Sequence, residues 1–318
     1  MRKVFVKTLL ELAQKDERIM LLTGDLGFTV LEPFRDAFPK RFFNCGVAEQ
    51  NMAGIAAGLA EAGFIPFFYS IVTFAVLRPY EFIRNGAILH QLPVRIVGVG
   101  GGFEYGSAGI THYGLEDIAV MRAQPGITVI APADSAQARS AILESWNLPG
   151  PVYYRLSKDD RTVVSGLNGE FALGRAQVVR KGKDVAIISL GGISAEAAAA
   201  AEKLLSLGID VSLVIIASVH PAPREDLARI ISGHALVFTV EEHYINGGIG
   251  SLAAEVIAEN GLSARLVRLG VKHGYNGISG SQGYMKKING LSVEAICRAI
   301  QKSCRQDYPK AKFSRKAV

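Results

Sequence analysis

Apolar residues in this chain come in short runs separated by longer amphipathic stretches. In the first half, Ile19-Met20-Leu21-Leu22, Ile65-Pro66-Phe67-Phe68, Val94-Arg95-Ile96-Val97, Ile127-Thr128-Val129-Ile130 and Val152-Tyr153-Tyr154 predict buried strands. A short amphipathic helix is expected at Val4–Leu10, and further helices near 48–61, 79–89, 115–122 and 135–144. This alternation predicts a parallel sheet covered on both faces. Between residues 158 and 183 the pattern breaks into polar, glycine-containing sequence, which predicts a linker. It restarts with a strand at 184–190, an alanine-rich helix from Ser194 to Leu207, strands at 211–216 and 236–240, a helix near 248–259 and a strand at 265–269. The expected fold class is therefore α/β, with two parallel-sheet domains at 1–160 and 184–305, joined by a linker at 161–183 and followed by a tail at 306–318.

Composition narrows the class. With 49% hydrophobic and 20% charged residues, 318 residues suffice for two cores. There is no run of 18 apolar residues and no signal-like start, so no membrane span is expected and a cytoplasmic protein is the simple reading. Cys45, Cys297 and Cys304 lack metal-ligand spacing and are expected as reduced thiols. The net charge is +6, but the last fourteen residues hold five basic side chains against Asp307 alone, leaving the body nearly balanced. No aromatic-interleaved basic stripe accompanies that tail, so nucleic acid is not expected as a partner.

Candidate chemistry concentrates in the first half. Gly46-Val47-Ala48-Glu49-Gln50-Asn51-Met52 follows the strand-like Phe42–Cys45 and opens a helix whose apolar positions are Met52, Ile55, Ala56 and Leu59. Glu49 thus stands in a first turn, where the helix dipole favours negative charge; alone, it reads as an ordinary first-turn acid. Four further segments stand at expected strand ends: Gly24-Asp25-Leu26-Gly27, Thr73-Phe74, the glycine-rich loop from Gly98 to Thr111-His112, and Leu156-Ser157-Lys158. Taken singly, Phe74 reads as core and His112 as a helix cap. In the second half, Gly248-Ile249-Gly250-Ser251-Leu252-Ala253 fits a loose dinucleotide fingerprint but lacks the acidic residue about 20 positions on, so a tight packing turn is expected.

Taken together with Leu115-Glu116-Asp117, these segments resemble the pyrimidine-binding domain of transketolases, and the second half resembles their C-terminal domain. The resemblance implies a thiamine-diphosphate enzyme that passes a two-carbon ketol unit from a ketose donor to an aldehyde acceptor. It assigns Glu49 to activation of the aminopyrimidine, Phe74 to stacking on that ring, Asp25 and Leu26 to the thiazolium side, and His112 and Lys158 to substrate. A carboxyl group for the first task must lie in a dry site, and Phe42, Phe43, Val47 and Met52 are expected to provide it. Lysine at 158 stands where the family has arginine, keeping the charge without the bidentate fork.

Two departures concern substrate. Ala108 replaces an acid, and Gly100 a histidine, that sugar-phosphate members carry four and twelve residues before His112. A different ketose or a pyruvate-like donor becomes credible. The family's Gly-Asp-Gly and downstream Asn, which hold diphosphate through Mg²⁺ (or Ca²⁺), are not found in this sequence. The resemblance therefore implies the C-terminal subunit of a split enzyme, with metal and diphosphate on an N-terminal partner subunit in an α2β2 heterotetramer. The β subunit of a pyruvate or 2-oxoacid dehydrogenase remains an alternative, as does a non-catalytic assembly module in which Glu49 is structural.

Overall fold

The computed structural model describes residues 1–272, 274 and 277–307, so most of the expected basic tail lies outside the described residues. In chain order the strands are β1 (Ile19–Thr23), β2 (Phe42–Asn44), β3 (Ile65–Ile71), β4 (Arg95–Val99), β5 (Thr128–Ile130), β6 (Val152–Leu156), β7 (Ala176–Arg180), β8 (Val185–Ser189), β9 (Val211–Ile216), β10 (Ser218–His220), β11 (Leu236–Tyr244) and β12 (Arg265–Val271). They form a seven-stranded sheet ordered β10-β5-β6-β4-β3-β1-β2 and a five-stranded sheet ordered β12-β11-β8-β9-β7. Every position of β1, β4, β6 and β8 is buried, which is why these strands read as continuous apolar runs rather than alternating ones.

The α/β class with two largely parallel sheets holds, and both sheets carry an antiparallel edge. The stretch expected as linker contains β7, which pairs antiparallel with β9. Its pattern is half-exposed, so it shows no apolar run in sequence. The second edge, β10, is separated from β9 by Ala217 alone, yet it crosses to the first sheet and pairs antiparallel with β5. Three residues are too few to show a period. One apolar cluster also spans the halves, joining Met121 and Val129 to Ile188, Val214 and Ile249. The two sheets are therefore packed through a shared core.

The helix Glu49–Glu61 forms where expected, but its buried face is Met52, Ala53, Ala56 and Ala60; of the expected apolar positions Ile55 is 39% exposed and Leu59 only partly buried. The expected helix at 79–89 is present as Tyr80–Phe82 followed by a π-helical turn, Ile83–Ile88. Because β1, β3, β4 and β6 run parallel, the segments leaving their C-terminal ends emerge along one edge of the sheet. In open α/β sheets that edge is where ligands bind.

Candidate active site

Glu49 is the first residue of its helix, reached through a turn at Gly46 with φ +70°. That turn folds the carboxylate back against the ends of β1 and β3, and Glu49 is 2% exposed. Ser70 Oγ donates to Glu49 Oε1 at 3.3 Å. Gly24 ends β1 against this turn: a Cβ there would lie 3.3 Å from the Gly46 carbonyl oxygen and in ordinary contact, 3.5 Å, with Oε1. The expected drying by Phe43 and Val47 is not what occurs: they are 41% and 71% exposed, because both belong to the edge strand and turn ahead of the helix. Burial of the carboxylate comes from the strand ends instead.

The other oxygen has a partner that the sequence did not single out. Arg78 Nη1 donates to Glu49 Oε2 at 2.8 Å. The same guanidinium lies over the Phe74 ring, Cζ to centroid 4.0 Å. Phe74 sits in the helix Val72–Val76 and Arg78 follows one turn later, the spacing that puts two side chains on one face. Thr73 Oγ1 donates to the Tyr113 carbonyl at 2.9 Å, tying this turn to the glycine-rich loop. That tie brings His112 edge-on to Phe74, ring centroids 5.0 Å apart. The His112 Nδ1 is 2.9 Å from Thr111 Oγ1. Glu49, Arg78, Phe74 and His112 are therefore contiguous.

Lys158 joins them through Tyr105. Its ammonium lies 4.1 Å from the Tyr105 ring centroid, and that ring is 6.3 Å from His112. Gly100 explains where Tyr105 fits: its φ is +82°, and a Cβ would fall 2.2 Å from Tyr105 Cε2. A glycine-rich loop can let a ligand approach its backbone closely, but three glycines of this one admit side chains of the chain itself. Gly101 faces Arg155 and Gly102 faces Glu242, each leaving under 2.5 Å for a Cβ.

Asp25 and Leu26 lie beside this group. Asp25 holds φ +56°, its N–H donating to Asn44 Oδ1 at 3.0 Å while Asn44 Nδ2 returns a bond to Asp25 Oδ1 at 3.1 Å. Asn44 Oδ1 also accepts from the Gly46 N–H at 3.0 Å, so one amide fixes the turns before and beside Glu49. Leu26 is partly buried and packs against the apolar cluster of the first sheet, and its carbonyl accepts from Thr23 Oγ1 at 2.9 Å.

Behind the site lies a buried ionic network between the two sheets, largely invisible in sequence. Arg155 pairs with Asp117 at 3.0 Å and donates through Nη2 to the carbonyls of Gly114 (2.8 Å) and Glu242 (3.0 Å). Tyr153 donates to Asp117 at 2.7 Å. Glu104 accepts from Ser157 Oγ and from the Lys158 N–H at 2.5 Å, bolting the loop of β4 to that of β6; burial pushes its carboxyl up from its ordinary value. Burial likewise raises Glu241 and Glu242 to about 7. Glu104, Arg155, Ser157, Gly191, Gly192 and Glu242 line a cavity of about 20 Å³, room for roughly one water. The fingerprint-like turn is structural, as expected: Glu241 accepts from the N–H groups of Ile249 (2.8 Å) and Gly250 (3.0 Å), so the start of that helix is already capped.

A buried carboxylate and an aromatic face meeting at one rim fit a planar ring with N–H donors in its plane. Comparison with known proteins shows the family. The family model for the transketolase pyrimidine-binding domain matches residues 1–162, and that for the transketolase C-terminal domain matches 174–296. The 6-deoxy-6-sulfo-D-fructose transketolase subunit SqwH of Clostridium sp. (strain MSTE9) is 38% identical, over 94% of this chain and 92% of the relative. An apulose-4-phosphate transketolase subunit of Actinobacillus succinogenes is 36% identical, over 84% of this chain and 86% of the relative. A solved structure described as a split-gene transketolase, inactive β4 tetramer, superposes with a TM-score of 0.85 at 37% identity, covering 95% of this chain and 97% of that one. No described helix is long and apolar enough to cross a membrane.

Proposed function

Since this chain belongs to the transketolase family as a subunit of a split, transketolase-like transferase, we propose that it supplies the pyrimidine half of a thiamine-diphosphate site and works in two-carbon ketol transfer from a ketose to an aldehyde. The observation that carries this reading is the buried Glu49 carboxylate at a helix start, sharing its rim with the Phe74 face. When bound, the cofactor supplies a nucleophilic carbon. Glu49 holds a proton at one carboxylate oxygen and shares it with a ring nitrogen, which a dry site favours because the shared proton has no competing water. Ser70 steadies Oε1, Phe74 offers an uncharged stacking face, and Asp25 and Leu26 shape the neighbouring wall. His112 and Lys158 face substrate oxygens as hydrogen-bonding groups.

Donor choice differs from that of the sugar-phosphate members. The aromatic Tyr105 occupies the space over Gly100, and Ala108 offers no carboxylate. Support for such a donor comes from the relative named for 6-deoxy-6-sulfo-D-fructose, a ketose with a sulfonate and no phosphate; the other is named for apulose 4-phosphate, itself a sugar phosphate.

The cofactor's diphosphate and its Mg²⁺ (or Ca²⁺) belong, in this reading, to an N-terminal partner subunit in an α2β2 assembly. Phe28 (68% exposed) and Val47 (71%), the latter in the turn before Glu49, leave apolar surface uncovered, and the structural relative described as a β4 tetramer is described as inactive. Calorimetric titration of thiamine diphosphate with Mg²⁺ tests the composite site. Tight binding is expected only when the N-terminal partner is mixed in, and tight binding by the lone chain refutes the division. In the complex, Glu49→Gln is expected to lower turnover by about 10²–10⁴-fold, and full activity would make Glu49 merely structural.

A further inference from the structure

Arg78 makes, with one side chain, the two contacts that the proposed function assigns to the aminopyrimidine ring. Its guanidinium is planar, it donates an in-plane N–H to Glu49 Oε2 at 2.8 Å, and its Cζ stands 4.0 Å over the Phe74 ring. A ring bound between Glu49 and Phe74 would need that same face and that same oxygen. Arg78 is also free to leave. Its side chain is 44% exposed, whereas the Glu49 side chain is 1% exposed, so the carboxylate is fixed and the guanidinium reaches in from the rim. Leu77, Arg78 and Pro79 form the turn between the helices Val72–Val76 and Tyr80–Phe82, outside regular helix.

We propose that Arg78 is a placeholder for the pyrimidine: it occupies the ring's seat in the free chain, keeps Glu49 paired and Phe74 covered, and is displaced when the cofactor enters. This rests on the reading of Glu49 and Phe74 as the pyrimidine contacts. The physical reason for such a device is the carboxylate itself, since a buried charge without a partner is costly. Self-occupation lowers the apparent affinity by the fraction of molecules in which the seat is open. A chain in which Arg78 holds the seat about 90% of the time therefore binds the ring about tenfold more weakly than one in which the seat is free.

The test uses the full chain and 4-amino-5-hydroxymethyl-2-methylpyrimidine as probe, titrated by ligand-observed NMR into wild type, Arg78→Met, Arg78→Lys and Glu49→Gln. Methionine keeps apolar bulk but removes the donor and the charge; lysine keeps the charge but lacks the plane that covers Phe74. The expected result is binding about tenfold tighter in Arg78→Met than in wild type, an intermediate value in Arg78→Lys, and loss of binding in Glu49→Gln. In wild type, the Arg78 side-chain Nε–H resonance should move toward that of a free arginine as probe is added. Equal or weaker binding by Arg78→Met overturns the proposal, because Arg78 would then be neutral or helpful to the ring. Failure of every variant, Arg78→Met included, to bind the probe overturns the placeholder, whereas the reading of Glu49 and Phe74 falls separately, if the complex with the N-terminal partner binds thiamine diphosphate equally well with Glu49→Gln. Circular dichroism confirms folding of each variant.

Discussion

Replacing Glu242 by glutamine removes a proton site that burial has moved far from its ordinary range. The carboxyl lies between the two sheets and is 5% exposed; Oε1 accepts from the Phe103 N–H at 2.9 Å, and both oxygens accept from Gln282 Nε2 at 3.1–3.2 Å. Desolvation raises it from 4.5 to about 7; Lys286, the Phe103 N–H and Arg155 pull it down, while Glu104 adds to the rise. Below pH 4.5 the group is protonated both folded and unfolded, so it contributes no pH dependence. Between 4.5 and about 7 the unfolded chain releases the proton while the folded chain keeps it, so stability falls as pH rises. Above 7 both forms are ionised and the loss is complete. At 1.36 kcal/mol per unit, the shift corresponds to about 3 kcal/mol. Glutamine keeps the acceptor for Phe103 and cannot titrate. Urea unfolding from pH 4.5 to 8 should therefore show the stability difference, variant minus wild type, growing by about 3 kcal/mol in the variant's favour, nearly all of it below pH 7.5. Parallel curves, with a constant offset across that range, would refute the reasoning.

Two further perturbations test the packing that positions the site. Met52→Ala removes a fully buried side chain that shares a cluster with Leu22, Phe68 and Ile96, beneath the helix that begins with Glu49; urea denaturation should show a loss of about 2–5 kcal/mol, and a loss under about 1 kcal/mol would mean the helix is not anchored there. Gly100→Ala places a Cβ at φ +82° and 2.2 Å from Tyr105 Cε2, so it should cost about 1–3 kcal/mol and move the Tyr105 ring away from Lys158; unchanged stability and an unchanged near-ultraviolet tyrosine signal would show that the ring does not depend on the bare glycine.

The sequence by itself determined the order of strands and helices, because parallel strands buried on both faces must be apolar throughout and the helices between them must show a 3.6-residue period. For the same local reason it placed Glu49 at the start of a helix, with Asp25, Phe74, His112 and Lys158 beyond strand ends, and parallel strands then carry those ends to one edge. Short or half-exposed pieces escaped it. β7 and β10 are edge strands of five and three residues with no continuous apolar run, and which sheet a three-residue strand joins depends on the docking of the two halves. Contacts between distant residues escaped it as well. That Arg78 closes on Glu49 and that Glu242 is buried against Phe103 are outcomes of packing across 29 and 139 positions of chain. Local periodicity carries no information about such encounters. Val47 shows the limit most directly: its apolar side chain suggested a dry wall for the carboxylate, and the fold turned it outward, because a residue in the turn before a helix takes its direction from the turn rather than from its own hydrophobicity.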